Sequence, residues 1–220
     1  MQNKKLELLI IISFALISIL LWDTFVIYPI KLFVVLIHEM SHGIFAILSG
    51  GEIVEIKITE TLGGTCVTRG GSSFIIATAG YLGSLLFGAM LFMSAYKRNV
   101  SLWTCGILVV LLIIFAANFI TGTLGILFAL SFAILLLIST KFFNKKVHSY
   151  IMKFFGLVSC LYVIIDIKED LLTTEYFDSD AQTLAYLTDI PPIVWGVLWL
   201  AISIFVVYKL FKYSYKNVGI

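Results

Sequence analysis

A succession of apolar runs, each about 20 residues long, constrains this chain more than any other feature. That is the length of helix needed to cross the hydrocarbon of a bilayer. The sequence contains seven such runs, at roughly 6–22, 28–49, 73–96, 101–119, 122–140, 149–167 and 191–211. The fourth and fifth are divided only by Asn118, Thr121, Gly122, Thr123 and Gly125. Helix continuing through 101–140 would be about 60 Å long, twice the hydrocarbon thickness, so two crossings are expected there. Composition agrees, with 60% hydrophobic and only 13% charged residues in 220. A soluble domain is nearer half apolar and a quarter charged, and a disordered chain is less apolar still. Both classes are excluded. A net charge of +2 with no basic stripe gives no footing for nucleic acid.

The fold class that follows is an all-α polytopic membrane protein of about 6–7 transmembrane helices. It is read as a single integral-membrane domain over 1–220, multi-pass, with the lipid bilayer as its surroundings. Lys4 and Lys5 precede the first run as in a signal peptide. The run ends Leu21-Trp22-Asp23 with no small-x-small cleavage site, so an uncleaved span is expected. Cys66, Cys105 and Cys160 have no CxxC spacing and read as small buried apolar residues.

Two polar stretches interrupt the runs. Residues 50–72 begin and end with glycine pairs, and Val54, Ile56 and Ile58 alternate with Glu55, Lys57 and Thr59. This is strand periodicity. Gly63-Gly64 marks a turn and Thr65–Thr68 a return strand, so a short β-hairpin is expected after 28–49. The other stretch, 168–190, is acidic. Basic residues mark three further segments: Lys97-Arg98, Lys141 with Lys145-Lys146, and the tail with Lys209, Lys212 and Lys216. Placing these inside puts the acidic stretch outside, yet seven spans then put Lys4 and Lys5 outside as well, against the same rule. Parity is firmer. Four crossings separate the hairpin from the acidic stretch, so both lie on one face of the membrane.

The second run contains His38-Glu39-Met40-Ser41-His42-Gly43. Ionisable groups in an apolar helix are costly and call for a function. His38 and His42 are four apart and project from one helical face, where two imidazoles can grip one Zn²⁺. Glu39, one residue along, can serve as the base that takes a proton from water at the open coordination position. This is the HExxH pattern. A chance occurrence in a chain with three histidines is on the order of one in a thousand. His148, beside Lys145 and Lys146, reads as a solvated interface residue. Catalytic zinc usually has a third protein ligand, and two acids return to the face of His42. Asp166 ends the sixth run. Asp180 follows Ser179, whose spacing to Gln182 also suits a helix cap. Residue chemistry leaves the two near even. Gly80, Ser84 and Gly88 form a small-residue stripe that permits close helix approach. Asn118 reads as satisfying a helix break, with a bond to substrate backbone the lesser reading.

The chain resembles the site-2 protease family of intramembrane zinc metallopeptidases, and within it the short, peptidase-like branch of bacteria and plants. The likeness rests on His38–Gly43 inside a span, the glycine-bounded hairpin, and Ala79-Gly80-Tyr81-Leu82-Gly83-Ser84. It rests also on Asp178-Ser179-Asp180-Ala181 followed by Leu184-Ala185, Leu187-Thr188, Pro191 and Trp195. The resemblance implies zinc held by His38, His42 and a later aspartate, with Glu39 as catalytic base and a membrane-embedded protein as substrate. Better-studied members carry that aspartate in an Asp-Gly pair, which this sequence lacks. The Ser-Asp-Ala segment is the recurring acidic signature of the short branch and favours Asp180, with Asp166 as runner-up. A non-catalytic scaffold or a metal-binding or transport protein that keeps the fold is the alternative.

Overall fold

The computed structural model describes residues 2–172 and 179–217. Their order is α1 (Gln2–Leu20), α2 (Tyr28–Leu48), β1 (Gly51–Ile58), β2 (Gly64–Gly70), α3 (Ser73–Ser94) and α4 (Arg98–Asn118). Then follow β3 (Ile120–Thr121), α5 (Thr123–Lys141), α6 (Lys145–Leu172), α7 (Asp180–Thr188) and α8 (Pro192–Asn217). Six of the helices, α2 to α6 and α8, are long and apolar enough to cross a membrane. The chain is an integral membrane protein, and the boundary between its fourth and fifth runs falls at 119–122, where Gly122 takes φ 84°.

The first run departs from expectation. It forms a helix, but α1 is not among the six. Lys4, Lys5 and Glu7 lie in its first two turns, and the uncharged remainder, 8–20, extends only about 20 Å. The start of α1 is fixed to α6, to α8 and to the segment that follows α3. Lys4 Nζ stands over the Tyr215 ring of α8, 5.4 Å from its centroid. The Glu7 carboxylate accepts from Lys153 Nζ of α6 at 2.6 Å and from the Tyr96 hydroxyl at 3.0 Å. All three of Glu7, Tyr96 and Lys153 are buried.

The same end of the bundle is tied together elsewhere. Arg98 Nη2 donates to the Thr140 carbonyl at 2.7 Å, and the Ser149 hydroxyl to the Ala95 carbonyl at 2.9 Å. His148 is found here, and the structure corrects its reading as a solvated residue. It is 1% exposed, with Nε2 2.8 Å from the Ser101 hydroxyl and Nδ1 3.1 Å from the Ser139 hydroxyl. One imidazole thus links α4, α5 and α6. Further along, α3 and α6 approach closely through glycine: a Cβ on Gly88 would fall 2.7 Å from the Gly156 carbonyl oxygen.

At the opposite end lies a three-stranded sheet of order β2-β1-β3. β1 and β2 form the expected antiparallel hairpin, from Gly51↔Gly70 to Ile58↔Gly64. A register shift between Ile53 and Glu55 leaves Val54 out of the ladder. Val54 is therefore exposed, and Ile53 joins Ile56 and Ile58 as the buried set. The two residues of β3 pair in parallel with β1, Ile56↔Ile120. The hairpin runs beside α2. Ile53 packs on Gly43, Gly64 on Glu39, and the Tyr28 hydroxyl donates to the Glu60 carbonyl at 2.8 Å. Of the acidic stretch, the side chains of 168–178 lie outside the described residues.

Candidate metal centre

α2 is buried almost all round from Leu32 to Gly43, as an apolar helix at the centre of a bundle must be. His38, Glu39 and His42 are 9%, 6% and 7% exposed. Polar groups at such burial need partners. His42 Nδ1 lies 2.7 Å from the Ile76 carbonyl oxygen in the first turn of α3. That carbonyl accepts the Nδ1 proton and leaves Nε2 as a free lone pair directed inward. The His38 ring is held by Tyr81, which meets it edge-on at 5.1 Å, and Tyr81 in turn lies 4.6 Å from Trp199 of α8.

The structure brings Asp180, and not Asp166, to these imidazoles. One carboxylate oxygen of Asp180 lies 3.2 Å from His38 Nε2 and 3.3 Å from His42 Nε2. Asp180 reaches this position from the first turn of α7. Ser179 caps that helix by accepting from the Gln182 backbone N–H at 3.2 Å, and buried Ala181 and Leu184 anchor it. The cap reading and the site reading of this segment therefore both hold locally. Burial alone would raise the Asp180 carboxyl; when the two imidazoles are protonated, their charge and their N–H groups outweigh burial and hold it down at about 2.

His38, His42 and Asp180 form a possible metal site, with one donor atom from each within 4.8 Å of the others. Three observations fit a metal there. The Asp180 oxygen, despite its closeness to both Nε2 atoms, satisfies a hydrogen bond with neither. Its two spacings match the edge of a tetrahedron around zinc, about 3.3–3.4 Å for bonds of about 2.0–2.1 Å. Gly80 of α3 leaves the space open: a Cβ there would fall 2.5 Å from His42 Nε2, 2.6 Å from Asp180 Oδ2, and closer to His38 Nε2.

The site opens into a cavity of about 660 Å³ lined by His38, Glu39, His42 and Asp180, by Gly63–Thr68 of the hairpin, and by Tyr81, Tyr162 and Asp166. Asp166 is thus a wall of the cavity outside the donor cluster. Glu39 faces β2. A Cβ on Gly64 would fall 2.6 Å from Glu39 Cγ and 2.8 Å from Cδ, so bare backbone confines that carboxylate. Cys66 departs from its reading as a buried apolar residue by lining this cavity, while Cys105 and Cys160 are buried. Burial, with the Glu39 and Asp180 charges adding, pushes the Cys66 thiol up to about 12, which keeps it protonated. Asn118 is not part of the lining; its amide donates to the Ile114 carbonyl at 2.8 Å, closing its own helix.

Two contributors were invisible to residue-type reasoning. Tyr81 and Gly80 stood inside a recognised segment, but nothing in their chemistry announced a ring against His38 or a space for three donors. Comparison with curated proteins and with solved structures gives no match. A family model described as Peptidase M50B-like matches residues 11–210. The chain belongs to the peptidase M50B-like family, a site-2-protease-like family of intramembrane metallopeptidases.

Proposed function

We propose that this chain is a zinc endopeptidase that hydrolyses a peptide bond of a membrane-embedded protein. The reading is carried by the meeting of Asp180 with both HExxH imidazoles at 3.2 and 3.3 Å, in a cavity that Glu39 shares. His38, His42 and Asp180 would hold the ion; two imidazoles and a carboxylate suit zinc. When bound, zinc supplies Lewis acidity to the scissile carbonyl and to water. Glu39 takes the proton from water and delivers it to the departing amine nitrogen. Gly64 backbone keeps the Glu39 carboxylate from swinging away, and the Ile76 carbonyl keeps His42 in one tautomer.

Substrate presentation falls to β2. It is an outer strand of the sheet, and its residues line the cavity. A transmembrane segment is helical, and its peptide groups are closed to attack until it unwinds. An unwound segment adding to the β2 edge would satisfy its freed backbone groups and lie beside the metal site. Purified protein in detergent, incubated with a co-expressed membrane substrate, tests the mechanism. Glu39→Gln is expected to keep the metal and abolish cleavage. Cleavage by Glu39→Gln at the wild-type rate would refute it.

A further inference from the structure

The two imidazoles of the metal centre are held by different means. His42 Nδ1 is fixed by the Ile76 carbonyl at 2.7 Å. His38 has no such tie: its Nδ1 is buried and meets no hydrogen-bond partner among the described residues. A metal-binding histidine ordinarily has its second nitrogen bonded to a carbonyl or carboxylate, and that bond sets where the ring points. What surrounds the His38 ring instead is other rings. Tyr81 of α3 meets it at 5.1 Å between centroids and 82° between planes, and Tyr162 of α6 at 6.4 Å and 76°. The His42 ring lies 4.8 Å away at 72°. Near-perpendicular ring contacts of this kind are directional as well as apolar.

Both tyrosines are backed in turn. Tyr81 lies 4.6 Å from Trp199 of α8, and Tyr162 lies 5.9 Å from Trp22, in the segment between α1 and α2. All four of these residues are buried. On the far side of Trp22, Lys31 Nζ stands 4.5 Å from the centroid of its ring. Trp22, Tyr162, His38, Tyr81 and Trp199 therefore form one continuous row of rings through the molecule. A close-packed interior has little slack, so a change at one end of the row is felt at His38. We infer that Tyr162 and Trp22 are positioning residues for the metal. With Tyr81 and Trp199 on the opposite side, they clamp the His38 ring so that Nε2 stays directed at the point where His42 and Asp180 converge. Trp22 does this from outside the cavity, whose lining it does not join. The segment joining α1 to α2 thereby has a mechanical path to the metal centre. The inference rests on the zinc site proposed above and not on its peptidase activity.

The full chain, purified in detergent, stripped of metal and titrated with Zn²⁺ against a chelating dye, tests this. Co²⁺ in place of zinc reports the ligand geometry through its visible absorption. Tyr162→Leu removes the ring and is expected to weaken zinc roughly three- to tenfold, the size of a lost aromatic pair, and to alter the cobalt spectrum. Tyr162→Phe should match wild type in both readouts, because the ring makes the contact with His38 whatever the hydroxyl meets. Trp22→Leu should move both in the same direction by a smaller factor, about twofold. A merely structural loss would lower the folded fraction and leave the affinity and spectrum of the folded protein unchanged. Wild-type affinity and spectrum in Tyr162→Leu and Trp22→Leu, or binding by Tyr162→Phe as weak as by Tyr162→Leu, would overturn the inference. If Tyr162→Leu does not fold, Trp22→Leu decides alone. Failure of the zinc-site reading looks different: wild type itself then takes up no metal, which refutes both.

Discussion

Gly80 lies on the face of α3 turned to His38, His42 and Asp180, so a methyl group there would stand where the three donors converge. Gly80→Ala is therefore expected to give a folded protein, by circular dichroism, that retains no metal. Gly64 does the corresponding service for Glu39. Gly64→Ala should retain metal and lose about a hundredfold in cleavage rate, the cost of moving a positioned base by about 1 Å. Equal metal content in Gly80→Ala and wild type would contradict the packing described. The HExxH residues were legible because histidine is scarce here and two of the three stand four apart. The choice between Asp180 and Asp166 was not, since both return to the same face and only tilt and depth of their elements separate them. His148 was misread because its neighbours Lys145 and Lys146 are solvated, while its own ring turns inward to Ser101 and Ser139.

Among the elements, α7 matters most to the site, because it carries Asp180 on nine residues outside the six spans. Its cap is an obvious lever. Ser179→Ala removes the bond to the Gln182 N–H and should cost about 1 kcal/mol of α7 docking. Metal affinity, read by competition with a chelating dye, should weaken about fivefold. Helix α1 is joined to the bundle by the buried Glu7–Lys153 pair at 2.6 Å. Glu7→Gln leaves the Lys153 ammonium buried without a counter-charge, a loss of about 3–5 kcal/mol. Glu7→Gln combined with Lys153→Met should recover most of it, as followed by thermal unfolding in detergent. The spans and the hairpin were legible as periodicity. The bulge at Val54 and the two-residue β3 were not. The bulge depends on how β1 pairs with β2, and β3 on the meeting of Ile56 with the distant Ile120, and neither leaves a local pattern.

For the whole molecule, parity of crossings was legible and placed the hairpin and the Asp180 segment on one face, where the structure has them. Length and hydropathy do not say at which end of the bundle the first run starts; its contacts with Tyr96, Lys153 and Tyr215 place that start. Metal binding couples to pH through the same global arrangement. With its folded value near 2, Asp180 stays ionised as pH falls and loses its charge only on approaching that value, so protons compete first at the imidazoles. Acidification is expected to release metal while Asp180 is still a carboxylate, and the metal's stabilisation of the fold is lost with it as pH falls. The central claim is that HExxH on α2 and Asp180 on α7 make one metal centre. It is tested most directly by elemental analysis of purified wild type beside Asp180→Ala and Asp166→Ala. The account predicts about one zinc per chain in wild type and Asp166→Ala, and none in Asp180→Ala. Zinc retained by Asp180→Ala and lost from Asp166→Ala would contradict it.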